Sequence, residues 1–466
     1  MSVTVDTLIT DPTILTMNPK REVIWRGAIA IQGEKIVEVG EQRALASKYR
    51  ARRVMDGRQK LAMPGFINAH NHMSGALTRG LIDDLTFIPW VQKKFYLSSK
   101  GLNPENYYFS TLLLGIEMLK SGTTCFVDCG TMPGLEESVV KGVEEIGIKA
   151  VLGRTMVDIT ETLSSHHHRR ERSTRENLRK GEAFIEDWHG AAGGRIQCWL
   201  CPMQVSSCSD ELFRGAARIA DRLEVGVLTH AAVATADVEL CVERFHQTPV
   251  ERFQRLGVLA PNFLPTHMGW LTAREMKLLR DFGVSVVHAP SASMKCAYGS
   301  LSMGKFPEMA ASGINVCLGS DGPTASGFLD MFRTVYLAAV GHKEALLDAT
   351  VIRPIEALEM ATINGARALL WEDRTGSLEK GKCADIVLVD LRRPEFIPHH
   401  PETLISHLVY GAPHAAVETV LVNGKVVVEK GEVTTVDEGA VWEEAQRWAG
   451  RFVRLSKEWD RKKGLR

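Results

Sequence analysis

The stretch Pro64-Gly65-Phe66-Ile67-Asn68-Ala69-His70-Asn71-His72, PGFINAHNH, places two histidines at the end of an apolar run. Side chains two residues apart on a β-strand point to the same side. His70 and His72 are therefore expected to face one direction together. Because imidazole nitrogens suit a borderline divalent ion such as zinc, the pair predicts part of a metal site.

The residues that follow this stretch alternate between strand-like and helical patterns up to about residue 370. Eight βα repeats over this length favour a (β/α)8 TIM barrel over a doubly wound sheet. The predicted fold class is therefore α/β, with a barrel over 61–370. Its candidate strands are 61–67, 123–127, 148–152, 195–201, 225–229, 263–266, 284–288 and 314–318.

The two ends of the chain have a different, β-rich texture. Residues 1–60 and 371–436 are expected to form one small composite β-sandwich domain, with a hairpin at Asn423-Gly424. Residues 437–466 predict a C-terminal helix that carries tryptophans at helical spacing. That helix fits either packing on its own domain or a subunit contact, and the second reading makes a homo-oligomer an expectation.

Composition narrows the class of partner. Lys+Arg and Asp+Glu both number 56, so the net charge of zero argues against a nucleic-acid or acidic-membrane surface. We see no signal peptide and no apolar run long enough for a membrane helix. Nine cysteines, including the Cys198/Cys201 pair, lie mostly in apolar segments and predict reduced core thiols of a cytoplasmic protein. The polar tract His166–Arg170 predicts a solvated loop.

Polar side chains stand at the ends of the predicted barrel strands, where TIM barrels carry their chemistry. Five histidines and one aspartate follow strands 1, 5, 6, 7 and 8, and such a set predicts a metal centre. A nitrogen from a third histidine and a carboxylate oxygen would complete a site with room for water, whose pKa such a metal can lower to about 7. The residues are His70, His72, His230, His267, His288 and Asp321.

The motifs PGFINAHNH, TH on strands 5 and 6, HAP on strand 7 and SDG on strand 8 resemble the amidohydrolase superfamily. The similarity is greatest to cytosine deaminases, adenosylhomocysteine deaminases and triazine hydrolases. It covers nearly the whole chain, including the return segment from Gly376 to Asp385 into the β-rich domain.

The resemblance implies a set of roles. It makes His70, His72, His230 and Asp321 the ligands of a divalent ion, zinc first, with cobalt, iron or manganese as alternatives. Asp321 would also carry a proton, His267 would bond to the attacked group or the hydroxide, and His288 would steady Asp321. Binuclear relatives have a lysine on strand 4. None occurs from Arg195 to Pro202, so one ion per chain is expected.

Two positions depart from the deaminase pattern. Aminohydrolases have a glutamate three residues after the strand 5 histidine, where this chain has Val233. Asp237 and Glu239 lie too far along to replace it. Purine-type deaminases have a histidine after the strand 4 proline, where this chain has Met203. A placed acid is typically worth ~10²–10⁴-fold in rate.

These departures shape the predicted reaction. The pattern resembles phenylurea and thiocarbamate (molinate) hydrolases. It predicts hydrolysis of the C–N bond of a small urea, carbamate, thiocarbamate or amide by metal-activated hydroxide. The alternative is an aminohydrolase, or deaminase, of a pyrimidine, purine or triazine. A non-enzymatic metal-binding barrel is disfavoured by the complete ligand set. Trp90, Met203 and Val233 are predicted to contact the substrate.

Overall fold

The structure of the protein is a computed structural model that describes residues 3–159 and 173–464. The tract His166–Arg170 lies outside these residues. The strands are β1 (Val3–Thr10), β2 (Thr13–Leu15), β3 (Val23–Ile24), β4 (Gly27–Gln32), β5 (Lys35–Glu41), β6 (Tyr49–Asp56), β7 (Lys60–Pro64), β8 (Phe66–Asn71), β9 (Thr123–Thr131), β10 (Lys149–Met156), β11 (Ile196–Pro202), β12 (Val227–Ala231), β13 (Phe263–His267), β14 (Val286–His288), β15 (Val316–Leu318), β16 (Ile386–Asp390), β17 (Val417–Val422), β18 (Lys425–Glu429) and β19 (Glu432–Val433).

The helices fill most of the intervals between the barrel strands and cover its outside. They are α1 (Gln42–Lys48), α2 (Phe87–Gly101), α3 (Pro104–Lys120), α4 (Glu136–Ile146), α5 (Thr174–Trp188), α6 (Ala191–Gly194), α7 (Asp210–Leu223), α8 (Thr235–Phe245), α9 (Pro249–Leu256), α10 (Ala273–Asp281), α11 (Pro290–Lys295), α12 (Phe306–Ala311), α13 (Pro323–Ser326), α14 (Met331–Leu346), α15 (Pro354–Met360), α16 (Ile363–Ala368), α17 (Leu404–Tyr410) and α18 (Glu438–Lys463).

The strands β8 to β15 form one parallel sheet in chain order. The segment after β15 returns to β8: the Ser320 amide donates to Asn68 Oδ1 and the Asp321 amide donates to the His70 carbonyl, both at 2.9 Å. These bonds tie the last strand to the first. The predicted (β/α)8 barrel is confirmed, and its candidate strands after the first each coincide with an observed barrel strand within a few residues.

The first predicted strand, 61–67, consists of two strands in different sheets. β7 pairs with β16 in the terminal sheet, and β8 begins the barrel only after Gly65. A Cβ at Gly65 would lie 2.1 Å from Thr124 Oγ1, so the chain passes between the two sheets where only glycine fits. The domain boundary predicted at residue 61 therefore falls inside the terminal sheet. The apolar run that suggested it contributes β7 to that sheet and β8 to the barrel.

The two termini build their sheets together. A seven-stranded sheet runs β19-β18-β17-β16-β7-β2-β3 and so combines strands from both ends, while β5-β4-β1-β6 forms a four-stranded sheet. Ile9 and Ile29 of the small sheet share a buried cluster with Ile386 and Leu421 of the large one. This shared core is what a composite sandwich requires.

The C-terminal helix α18 packs on the barrel helices of its own chain. Phe452 is fully buried and lies so close to Gly101 of α2 that a Cβ there would be 2.3 Å from its ring. The Trp459 ring lies 5.1 Å from that of Tyr96, whereas Trp442 is 53% exposed. The homo-oligomer remains a prediction.

The nine cysteines carry free thiols, and Cys198 and Cys201 are buried in β11, as the core reading expects. Within residues 3–159 and 173–464, none of the helices is long and apolar enough to cross a membrane.

Candidate metal centre

Four side chains from three points of the barrel rim converge at its centre. His70 is the second-last residue of β8 with His72 just beyond the strand, His230 lies on β12, and Asp321 follows β15. Asp321 Oδ1 lies 3.6 Å from His70 Nε2 and 3.4 Å from His72 Nε2. His230 Nε2 lies 3.3 Å from His72 Nε2. Three nitrogens and one oxygen therefore point at one volume.

The residues fit a divalent ion. Both ring nitrogens of His70 are buried and have no hydrogen-bond partner among the described residues. Buried polar atoms are ordinarily paired, so such an imidazole calls for another partner. Candidate ligand atoms of His70, His72 and Asp321 lie within 4.8 Å of one another, as do those of His70, His230 and His267. Histidine nitrogens with one carboxylate are a donor set that zinc accepts.

The surrounding backbone orients two of these ligands. His230 Nδ1 donates to the Met203 carbonyl at 2.6 Å, which leaves Nε2 with its lone pair toward the centre. Asp321 has a φ of +62°, a left-handed conformation that is uncommon for residues other than glycine. The Gly322 amide donates to Asp321 Oδ1 at 2.6 Å. Strain of this kind persists where the surrounding structure enforces it, as at functional sites.

Burial and mutual charge set the protonation of the cluster. Burial lowers the pKa of His72 well below its usual value and that of His267 to about 3, so both are neutral. Burial opposes the charge of Asp321, but the histidines, led by His70, hold its pKa well below its usual range. Although burial opposes it, the pKa of His70 rises to about 9 because of Asp321 and Cys129. A metal ion would take the place of that proton.

His267 stands at the edge of the cluster. Its Nε2 lies 3.9 Å from Asp321 Oδ2, and its ring centre lies 5.6 Å from that of His230. Tyr298 meets the His267 ring edge-on at 5.8 Å. His267 also has a positive φ of 78°. It therefore faces both the ligands and the pocket, which is where a group that bonds to substrate or water must lie.

His288 is elsewhere. Its Nε2 lies 3.2 Å from His342 Nε2, and its ring stacks on Phe306 at 3.8 Å. Among the described contacts none joins it to Asp321. These contacts place His288 against His342 and Phe306, and no described contact supports the predicted steadying of Asp321, which stays a prediction.

Two buried thiols lie close together beside His230. Cys201 Sγ at the end of β11 lies 3.6 Å from Cys129 Sγ at the end of β9, and Cys129 Sγ lies 3.8 Å from His230 Nδ1. No lysine enters from β11. This arrangement is compatible with the prediction of one ion per chain.

The cluster opens into a pocket. The structure places the predicted contact residues Trp90, Met203 and Val233 in its wall. Asp237 lies behind that wall, where its carboxylate accepts from Gln204 Nε2 at 2.8 Å and from the Val233 amide at 3.3 Å. The remaining lining residues are His72, Phe87, Val91, Lys94, Phe95, Gln204, His230, His267, Tyr298 and Asp321.

Sequence reasoning missed Lys94, which is 7% exposed and lines the pocket. Burial lowers its pKa, and Asp321 acts against that effect. The signal was available: Phe87, Trp90, Val91, Lys94 and Phe95 recur at the i, i+3, i+4, i+7, i+8 spacing of one helix face. A lysine within the apolar face of a helix is unusual and could have been singled out from the sequence.

Curated relatives extend the picture. The chain is 34% identical over 430 residues to a 5-methylthioadenosine/S-adenosylhomocysteine deaminase of Thermoanaerobacter pseudethanolicus. The matched residues make up 92% of this chain and 95% of the relative. It is 33% identical over 448 residues to a 5'-deoxyadenosine deaminase of Methanosarcina mazei, with 96% and 98% covered.

Solved structures share the fold. An adenosine deaminase from Xanthomonas campestris with bound zinc superimposes with a TM-score of 0.90 at 29% identity, covering 97% of this chain and 100% of that one. A zinc complex of an atrazine chlorohydrolase from Arthrobacter aurescens gives a TM-score of 0.85 at 21% identity, with 95% and 100% covered. This second likeness concerns the fold alone.

The family model described as the amidohydrolase family matches residues 61–427. That range contains the barrel, all four converging side chains and the return into the terminal sheet. The match confirms the resemblance read from the histidine and aspartate motifs. Together with the deaminase relatives, it shows that the chain is a metal-dependent hydrolase that acts on carbon–nitrogen bonds other than peptide bonds. The chain belongs to the amidohydrolase family.

Proposed function

We propose that the protein is a metal-dependent aminohydrolase that removes the amino group of an adenosine-type nucleoside. The observation that carries the proposal is the similarity over more than nine-tenths of the chain to relatives named as deaminases of such nucleosides. These comparisons support the alternative in the sequence analysis. They do not support its main prediction, a urea, carbamate or amide substrate, which rested on Val233 and Met203.

The site is compatible with this reaction. His70, His72, His230 and Asp321 would hold one divalent ion, most simply zinc. When bound, the ion supplies hydroxide at neutral pH by lowering the pKa of water to about 7. Asp321, which stays ionised, is placed to accept a proton of that water and to return it to the leaving amine. His267 is neutral and faces the pocket, so it can orient the water or the substrate.

The pocket suits a flat ring. Apolar and aromatic side chains form much of its lining, with a few polar groups between them, as in other small-molecule sites. Phe87 meets Tyr298 edge-on at 5.7 Å, and Trp90 and Phe95 complete an aromatic wall. Aromatic walls favour an aromatic ring by stacked and edge-to-face contacts. Trp90, Met203 and Val233 are proposed to contact it.

The test is product analysis with protein loaded with one metal ion per chain. One group of compounds contains adenosine, 5'-deoxyadenosine, 5-methylthioadenosine and S-adenosylhomocysteine, and a second contains phenylureas, carbamates and thiocarbamates. We expect ammonia from the first group and none of the substituted amines from the second. Hydrolysis of the second group alone would refute the deaminase and restore the carbonyl hydrolase. Asp321→Asn, loaded in the same way, is the control for contaminating activity.

A further inference from the structure

Lys94 is a buried cation in the wall of the catalytic pocket. It shares that pocket with His72 and Asp321, and its side chain projects from the face of α2 that also carries Trp90. Its Nζ lies 5.2 Å from the centre of the Trp90 ring. This contact holds the ammonium beside the aromatic wall, because a cation is attracted to the face of an indole.

The neighbouring Lys93, in contrast, is paired with a carboxylate of its own chain. Lys93 Nζ bonds to both carboxylate oxygens of Asp460 in α18, at 2.7 and 3.0 Å. Lys94 has no hydrogen bond and no ion pair with any residue in 3–159 or 173–464. An ammonium that is buried without a partner is costly. Since this one faces the pocket, a ligand is the partner that the structure leaves for it.

The pocket needs such a donor. Val233 has an apolar side chain where deaminases with the usual motif carry their acid, and the nearby amide of Gln204 is bonded to Asp237. Among the described lining residues Asp321 is the sole carboxylate, and it belongs to the metal ligands. Adding water to an aromatic carbon moves charge onto the adjacent ring nitrogen, and that charge needs stabilisation at the moment it forms.

We propose that Lys94 is a catalytic residue whose ammonium donates a hydrogen bond to the ring nitrogen beside the attacked carbon, in place of the acid that the chain lacks at Val233. The assignment rests on the proposed deaminase function. As the carbon–oxygen bond forms, the electron pair of the ring C=N bond moves onto that nitrogen, next to Lys94. The exocyclic carbon–nitrogen bond then breaks. Of the two protons of water, one leaves with ammonia and one ends on the ring nitrogen.

The test compares Lys94→Met, Lys94→Arg and Lys93→Met in the full, metal-loaded chain. With the best nucleoside, Lys94→Met should lower kcat by ~10²–10³-fold with KM changed only a few-fold, because the donor acts as charge develops. Lys94→Arg keeps a donor and should retain kcat within about tenfold. Lys93→Met removes only the contact with Asp460 and should keep kcat. Metal content and melting temperature of each variant show that the site is intact.

Binding gives a readout that does not depend on turnover. Calorimetry with purine riboside, which has the ring nitrogen but no amino group, should give at least tenfold weaker binding to Lys94→Met than to Lys93→Met or the wild type. Equal affinity of Lys94→Met and the wild type, or a kcat of Lys94→Met within about threefold of wild type, would overturn the role of Lys94. Neither result would affect the proposed function. A wild type that deaminates no aromatic amine would overturn the proposed function, and the ring-nitrogen assignment with it.

Discussion

A buried ion pair joins the barrel to the terminal sheets, and its removal should destabilise the whole protein. Lys149 at the start of β10 and Asp385 just before β16 are 4% and 2% exposed and bond through Nζ and Oδ2. The same carboxylate accepts from the Thr375 hydroxyl at 2.6 Å and from the Asn423 amide at 2.9 Å. One side chain thus connects a barrel strand with two segments of the C-terminal half.

The expected magnitudes follow from this burial. Lys149→Met leaves a buried carboxylate with two neutral donors, and Asp385→Asn leaves a buried ammonium beside an amide. Each should cost about 3–5 kcal/mol, as when one partner of a buried pair is removed. For 466 residues the unfolding entropy is roughly 1 kcal/mol per kelvin, so each variant should melt about 3–5 °C lower. The double variant should lose clearly less than the sum, because neither charge remains unpaired.

The assay is a thermal melt of the two single variants and the double variant at one metal loading. Lys141→Met is the matched control, because Lys141 pairs with Glu137 on the surface, where the two are 62% and 63% exposed. That variant should change stability by less than about 1 kcal/mol. Single-variant shifts no larger than this control, or shifts that simply add in the double variant, would refute the claim that the pair carries stability between the barrel and the sheets.

Three further outcomes follow from the site. Chelation should abolish hydrolysis and about one equivalent of zinc should restore it; two tightly held ions per chain would contradict the reading of the strand 4 rim. Asp321→Asn should keep the fold, since its carbonyl can still accept from Gly322, but lose ~10²–10⁴-fold in kcat, and near-wild-type turnover would exclude the proton role. Burial raises the pKa of Asp237 to about 6 from 3.8, although Gln204 and Val233 oppose it. The folded state then binds the proton more tightly, so this stabilisation is complete below about pH 4 and lost as pH rises through about 6. The change is roughly 3 kcal/mol. The melting temperature of wild type minus that of Asp237→Asn should therefore be larger at pH 4 than at pH 7. An equal difference at the two pH values would contradict this stabilisation by Asp237.

Local sequence patterns were enough to predict the barrel and the residues that converge at its mouth. Strand side chains alternate and the ends of parallel strands meet at one rim, so the positions of His70, His72, His230 and Asp321 along the chain already imply that they approach one another. The position of His288 along the chain did not indicate its contact with Phe306 and His342. β14 is short, and whether a side chain at its end turns to the rim or to Phe306 depends on what packs around it.

The reaction depended on more than the pattern. Val233 favoured carbonyl hydrolysis, because it leaves no acid three residues after the strand 5 histidine. Lys94 lies far away in the chain, on a helix whose placement over the mouth is a tertiary fact. The helical spacing of its face was visible, but what that face covers was not.

By itself the sequence of this protein determined the eight-stranded barrel, the β-rich character of its two ends and the approach of His70, His72, His230 and Asp321, because all three follow from periodicities of two and 3.6 residues and from chain order. Only the tertiary structure decided that the chain passes between two sheets at Gly65 and that His288 lies against Phe306. It also decided that two thiols lie beside His230 and that Lys94 lines the pocket without a hydrogen bond or ion pair among the described residues. Each of these depends on which atoms far apart in sequence come within a few ångströms, and no local period encodes that distance.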